Sequence, residues 1–540
     1  MDKKMMRINE QGPISRSDRF IALGLLAVFF LIAYFSAGSW CFWGDDYAAY
    51  ISEGIAIAEG RLGEQARLNT LMHPSPLPEE AVGNPLVYVW GYPLLLSLVY
   101  RSIGFDRVDF STIAAYKFPS VTALALIAAV LFLFLRRRFG RKQSLLMTVA
   151  FCSCSEFYTF INTLYSDLVF LFFALVSLWL SEMFSDEKHI GKRIALGCAS
   201  GVSLWCTYEV RLNGSAILLT CILAQIISVF REKKYRSIGT LAIELIPYAL
   251  FAALKVIAEA LLAAPTSNMS DLDPSSLAMI FANLRVYIQL IMNFIGLLWN
   301  NLLISPLYSV LRRFISLSFD DLSVLKSVLV WASGALCVIG MVSDGVKRNT
   351  HLTLLCIVYI AVASMLPYTQ GMRYIYPLLP VLLMYCGYGF SRIVRRLPER
   401  IGKSRLLTAV TLLWSLVCIY PAVTSDIAES MPETVIVNVE DIYMQNAYSD
   451  AAIEVYDFIR SETPKDCTLA FFAPRGLYLN TERFSIKPDV NGHGINEADY
   501  YLDYLRTGDY NLSPDLGDDF EVFFSNGEFV LYQRITGEQQ

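Results

Sequence analysis

The sequence predicts a polytopic α-helical membrane protein of about eleven spans with a C-terminal extracytoplasmic α/β domain. Three observations carry that expectation. The 540 residues are 55% hydrophobic, with a mean hydropathy of +0.45, well above that of a soluble chain of this length. Apolar runs recur as far as Ala422, separated by short basic gaps. From about Ser425 onward those runs stop. The net charge of −5 is mild and argues against nucleic acid as a partner.

The N-terminus carries Lys3, Lys4, Arg7, Arg16 and Arg19 ahead of an apolar run from Phe20 to Ser39. No small-residue cleavage site follows, so this reads as an uncleaved first span with a cytoplasmic N-terminus. Later basic gaps lie at Arg136–Lys142, Lys188–Arg193, Arg231–Arg236, Lys347–Arg348 and Arg392–Arg405, and all are assigned to the cytoplasmic side. Spans are then expected near Ile113–Leu135, Leu145–Ile161, Leu168–Phe184, Ile194–Tyr208, Ser215–Phe230, Ile238–Ala258, Val324–Val342, Leu352–Met365, Ile375–Phe390 and Leu406–Ala422. Two further apolar segments, Tyr92–Tyr100 and Val286–Ile304, are expected as interfacial or re-entrant helices on the outer side. The alternative is two additional spans.

The domain division follows from this topology: residues 1–424 in the membrane, with a long first outer loop over 41–109, and residues 425–540 outside. In the latter, Tyr448–Ile459 reads as an amphipathic helix with Ala452, Val455, Tyr456 and Ile459 on one face. Cys467–Phe472 reads as a strand, and Ser525-Asn526-Gly527-Glu528 marks a hairpin. Of the eleven cysteines only Cys41 and Cys467 would lie outside, so no disulfide framework is implied. Four histidines give no metal-binding spacing.

Several chemistry-bearing residues return to the outer face. Asp45 and Asp46 follow the first span in Trp43-Gly44-Asp45-Asp46-Tyr47. A carboxylate pair is costly to hold beside lipid and is a functional candidate by default. Successive residues point about 100° apart on a helix, so the two should do different jobs. Asp167 opens the fourth span, Arg211 lies in the turn between the fifth and sixth, and Arg373 lies where the tenth begins. The arginine fork suits a phosphate or carboxylate at the interface. The plainer alternatives are a dipole role for the aspartate pair, N-capping by Ser166 or Asp167, pairing of Arg211 with Glu209, and a snorkelling Arg373. Jointly, acids and arginines on one face describe a lipid-phosphate pocket beside a general base.

At these residues the chain resembles the GT-C glycosyltransferases, in particular the group of protein O-mannosyltransferases and aminoarabinose lipid A transferases. The resemblance rests on Asp45-Asp46 with Tyr50 and a helix of Ala56 to Gly60. It extends to Tyr92-Pro93-Leu94-Leu95-Leu96, Asp167, Arg373-Tyr374-Ile375-Tyr376-Pro377-Leu378-Leu379-Pro380, and Ala473-Pro474-Arg475 with Thr481-Glu482-Arg483. The family commonly has Asp-Glu, so Asp46 departs from it by one methylene.

The resemblance implies an integral-membrane inverting transferase that moves a sugar from a polyprenyl-phosphate donor to an extracytoplasmic lipid, glycan or protein acceptor. It implies Asp45 as the base, Asp46 and Asp167 as orienting acids, Arg373 and Arg211 as donor-phosphate ligands, and Tyr50, His73, Tyr92 and Tyr374 as pocket residues. Paired carboxylates suit Mg²⁺ or Mn²⁺, but the sequence requires no metal and the expectation is none. Two other classes stay open: a transporter or flippase of a lipid-linked glycan, and a non-catalytic envelope-assembly subunit. The expected setting is a bacterial plasma membrane.

Overall fold

The computed structural model describes residues 14–72 (less 39 and 44), 88–107, 112–233, 237–261, 277–299, 322–345, 350–365, 371–396, 446–488, 494–505 and 519–535, with single residues 304, 308 and 516. Seven described helices are long and apolar enough to cross a membrane, or eight if the bent pair Arg141–Cys152 and Glu156–Asn162, inclined at 49°, forms one span. The chain is therefore a multi-pass membrane protein, but the described residues do not reach eleven spans. The expected last span, Leu406–Ala422, and the domain boundary near 424 lie outside the described residues.

The departures have physical reasons. Ile190–Val210 is a helix of 21 residues, but Lys192, Arg193, Glu209 and several small residues lower its apolar content. It packs between Asp167–Asp186 and Ile238–Leu261, where small residues let helices approach and lipid-facing bulk is not needed. Thr350–Ser364 is a helix of only 15 residues. Gly91–Ile103, at 13 residues, is too short to span, as expected. The segment from Val286, expected as an interfacial or re-entrant helix, belongs to a continuous helix of 23 residues, Leu277–Trp299, which packs on Ser323–Gly340 and Thr350–Ser364. An isolated apolar run cannot reveal where such a helix begins.

Polar contacts fix the two ends of the bundle. At the end where the first helix starts, Ser15 and Asp18 form a capping box. The buried Asp18 carboxylate also pairs with Arg136 at 3.1 Å and Arg141 at 2.9 Å. The Arg136–Arg141 gap therefore shares an end with the start of the first helix. Midway, Ser177 Oγ lies 2.8 Å from Ser203 Oγ and 3.0 Å from Thr207 Oγ1. Ser323–Gly340 crosses Leu379–Arg396 with backbones in contact. A Cβ at Gly340 would stand 1.9 Å from the Tyr385 carbonyl oxygen, and one at Gly389 would stand 1.9 Å from that of Leu336, so this crossing needs glycine.

The C-terminal unit stands at the other end. Its helix Asp450–Glu462 is capped by Ser449 and buries Ala452, Val455, Tyr456 and Ile459, the face that the periodicity predicts. Five strands follow among the described residues: β1 Thr468–Ala470, β2 Phe484–Ile486, β3 Tyr500–Tyr504, β4 Phe520–Ser525 and β5 Phe529–Arg534. They form one sheet in the order β2-β1-β3-β5-β4. β1 is parallel to β2 and β3, and β5 is antiparallel to β3 and β4. The β4–β5 turn uses Gly527 at φ 85°.

The segment after the first helix docks onto this unit. Ala447 N donates to Cys41 O at 2.7 Å, and Cys41 N donates to Asn446 Oδ1 at 3.2 Å. Trp43 is fully buried, with its ring 5.3 Å from Phe471, 5.6 Å from Phe472 and 5.9 Å from Phe529. Far along the same loop, Arg107 donates to Leu479 O at 3.0 Å. Cys41 and Cys467 are both buried free thiols.

Removing the Trp43 side chain empties an aromatic box on which the whole unit seats. Trp43→Ala should cost roughly 3–5 kcal/mol. Thermal unfolding in detergent should show a lowered midpoint, and limited proteolysis should cut the C-terminal unit first. Unchanged protease resistance would show that Trp43 is not the anchor.

Candidate active site

Asp45 and Asp46 stand at the start of the helix Asp46–Glu59, which ends at Gly60 in the left-handed conformation, φ 73°. Their carboxylates go separate ways, as the angular argument requires. Asp46 Oδ2 accepts from Arg373 Nη1 at 3.2 Å, and its Oδ1 accepts from the Tyr88 hydroxyl. Asp45 turns toward the C-terminal unit, where its Oδ1 accepts from the backbone N–H of Arg475 at 3.0 Å and of Gly476 at 3.1 Å. Its Oδ2 lies 3.4 Å from Arg475 Nη1. Burial between the two parts of the chain pushes the Asp45 carboxyl above the usual aspartate range, and Arg475 opposes that rise.

Asp167 is fully buried at the first position of the helix Asp167–Asp186. Its Oδ2 accepts from Arg373 Nε at 3.1 Å, and its Oδ1 lies 2.8 Å from Arg211 Nη1. Ser166 makes no side-chain capping bond, so the N-cap alternative is not how it is used. Its Oγ instead meets the Tyr50 hydroxyl at 3.0 Å and Arg211 Nη1 at 3.5 Å. Arg211 sits in extended backbone where Ile190–Val210 ends. It pairs with Asp167 and not with Glu209, whose carboxylate faces Lys255. Arg373 lies in the 3₁₀ segment Gly371–Leu378, which leads directly into Leu379–Arg396. Pro380 falls in the first turn of that helix, where its missing N–H costs nothing.

These four residues form a chain of alternating charge, Asp46–Arg373–Asp167–Arg211. Asp167 is closed to solvent, the arginine side chains are 12–16% exposed, and Asp46 is the open end at 31%. Aromatic rings wall the chain. The Arg373 guanidinium lies 3.8 Å from the Tyr165 ring centroid, and that of Arg211 lies 5.4 Å from Tyr374. The Tyr50 ring lies 4.2 Å from that of Tyr88, tilted by 30°, and meets Tyr92 edge-on at 5.0 Å. The Tyr92 hydroxyl reaches Ser120 Oγ at 3.2 Å.

Of the residues singled out in the sequence, Asp46, Asp167, Arg211, Arg373, Tyr50, Tyr92 and Tyr374 lie together, with Asp45 at the edge of the cluster. Asp46 and Asp167 accept from the arginines of the cluster, whereas Asp45 contacts Arg475. His73 lies outside the described residues. Tyr88, Tyr165 and Ser166 join the site without having been selected as pocket residues. Single hydroxyls carry no spacing signal, although Tyr165 and Ser166 directly precede Asp167. Among the described residues no group of three or more His, Cys, Asp or Glu side chains could hold a metal ion. The gap between Asp46 and Asp167 is filled by Arg373.

No family model matches the chain, and no curated protein sequence matches it. Solved structures do. ArnT from Cupriavidus metallidurans, bound to undecaprenyl phosphate, aligns with a TM-score of 0.54 at 10% identity, over 96% of this chain and 98% of that one. The oligosaccharyltransferase AglB from Archaeoglobus fulgidus, in complex with an inhibitory peptide and a dolichol-phosphate, aligns with a TM-score of 0.53 at 11% identity, over 91% of this chain and 70% of that one. The Archaeoglobus fulgidus oligosaccharyltransferase in complex with Zn and sulfate gives a TM-score of 0.56 at 11% identity, over 89% and 68%. At such identities the likeness is one of fold alone: along most of its length the chain shares the fold of these three structures.

Proposed function

We propose that this protein is an integral-membrane inverting glycosyltransferase that takes a sugar from a polyprenyl-phosphate donor and passes it to an acceptor on the extracytoplasmic side. The observation that carries the reading is the alternating chain Asp46–Arg373–Asp167–Arg211 with a second carboxylate, Asp45, one residue from its open end. Neighbours of the same fold were solved with undecaprenyl phosphate and with a dolichol-phosphate, which supports a lipid-phosphate ligand here.

In this reading the donor phosphate takes the place of Asp46 on Arg373, because Asp46 is the most exposed member of the chain. The acceptor oxygen attacks the anomeric carbon and its proton passes to Asp45. The bond from that carbon to the phosphate oxygen breaks, and the electron pair stays on the phosphate. Arg373 and Arg211 offset the charge that develops there. Asp45 is the base in this reading because the resembling motif gives that role to its first acid and because burial raises its affinity for a proton. Asp167 holds both guanidiniums in place. Tyr50, Tyr92 and Tyr374 shape the pocket. No metal is needed, because Arg373 supplies the positive charge between the two carboxylates. The N-terminus is cytoplasmic and the C-terminal unit is outside, in a bacterial plasma membrane.

Purified protein given a polyprenyl-phosphate sugar and envelope extract should release free polyprenyl phosphate. A transporter or a non-catalytic subunit would release none, and that result would end the reading. Asp45→Asn should lower turnover by roughly 10²–10⁴-fold while the protein elutes and melts like the wild type; near-normal turnover removes Asp45 as the base. Arg373→Ala should lower turnover by roughly 10²–10³-fold and weaken donor binding, seen as a raised donor KM. Chelator should leave turnover unchanged, and full loss of turnover would assign a metal. Mass spectrometry of envelope glycans with and without the protein would name the sugar and the acceptor.

A further inference from the structure

Asp45 is bound by residues that lie some 430 positions later in the chain, on the C-terminal unit. They open the helix Pro474–Thr481, which has proline at its first position. The N–H groups of a helix's first turn have no partner within the helix, and here those of Arg475 and Gly476 converge on one Asp45 oxygen. The Arg475 guanidinium reaches the other oxygen. Its side chain is 16% exposed, and its Nε is buried with no hydrogen-bond partner. A Cβ at residue 476 would stand 3.2 Å from the Tyr47 hydroxyl oxygen, so glycine allows the close approach.

We infer that Arg475 is a positioning residue of the active site: through its side chain and the adjoining N–H groups, the C-terminal unit sets the orientation and charge of Asp45. The membrane helices thus carry an incomplete site, and the soluble unit finishes it. The inference rests on the reading of Asp45 as the base. The charged groups that face Asp45 are Arg475, Asp46 and Lys487. Arg475 and Lys487 favour the carboxylate, whereas burial and Asp46 favour the protonated form. Removing Arg475 takes away the cation that reaches Asp45 Oδ2, so Asp45 should hold its proton to higher pH. A base that must be deprotonated then fails earlier as pH falls.

The test uses full-length protein in detergent and dicyclohexylcarbodiimide, which modifies protonated carboxyls in apolar surroundings. Labelling of the peptide that contains Asp45 is read by mass spectrometry against pH, beside a pH profile of turnover. In the wild type both midpoints should lie above the ordinary aspartate value of about 3.9. Arg475→Gln should raise the labelling midpoint by roughly one pH unit, and the acid limb of turnover should follow. Arg475→Lys should restore the midpoint because the charge returns. Arg475→Met, which keeps the side-chain length, serves where Arg475→Gln fails to fold. An unmoved labelling midpoint in a folded charge-free variant overturns the inference. A moved labelling midpoint with an unmoved acid limb leaves Arg475 as the residue that sets Asp45 and removes Asp45 as the base.

Discussion

A guanidinium held between two carboxylates is the constraint on which the rest of the site depends. Taking ions out of water costs several kcal/mol each even after relaxation, and Arg373 and Asp167 are both largely or wholly withdrawn from solvent. Such a group is tolerated only when its partners are in place. Arg373 therefore demands that four separate stretches of chain converge: the start of the helix after the first span, the start of Asp167–Asp186, the end of Ile190–Val210 and the 3₁₀ segment at Gly371–Leu378. The helix packing below the site, including the hydroxyl cluster of Ser177, Ser203 and Thr207, supplies that convergence.

The same logic explains why residues 41–50 behave as a strap between two bodies. Trp43 and Asp45 reach into the C-terminal unit, by ring contacts and by hydrogen bonds to Arg475 and Gly476. Asp46 and Tyr50 reach toward the membrane helices, through Arg373 and Ser166. Tyr47 lies between, its ring 6.1 Å from Tyr448. A rotation of this strap cannot leave one side in place while it changes the other. The docking of the C-terminal unit and the orientation of Asp45 are in this sense one structural variable.

How much of this was legible in the sequence depends on what kind of signal each part leaves. Charges stand out against an apolar background, so Asp45, Asp46, Asp167, Arg211 and Arg373 could be singled out and placed on one face by counting spans. The helix Asp450–Glu462 and the β4–β5 hairpin were legible because a period and a turn are local. Partner choice was not. Whether Arg211 pairs with Glu209 or with Asp167 is decided by helix packing, and both options are compatible with the sequence. The strands β2 and β3 are short and lie between irregular stretches, without a clear alternation to mark them. For Leu277–Trp299, hydropathy alone does not separate an interfacial or re-entrant helix from a span. Arg475 was visible within a resembling motif, but only the fold brings it to Asp45.

The charge balance of the site sets a requirement on any anionic ligand. Two carboxylates and two guanidiniums compensate one another in the described structure, so an entering phosphate adds negative charge where none is unbalanced. The strain falls on the weakest link, and exposure identifies it as the Asp46–Arg373 pair, since Asp167 is closed to water and engaged by both arginines. Displaced from Arg373, Asp46 would keep Tyr88 and remain the neighbour of Asp45, whose proton affinity a second nearby negative charge raises. In the proposed reading, donor binding would thus raise the proton affinity of Asp45. The coupling follows from adjacency in the chain: two aspartates at successive positions face different parts of the molecule, one toward Arg373 and one toward Arg475.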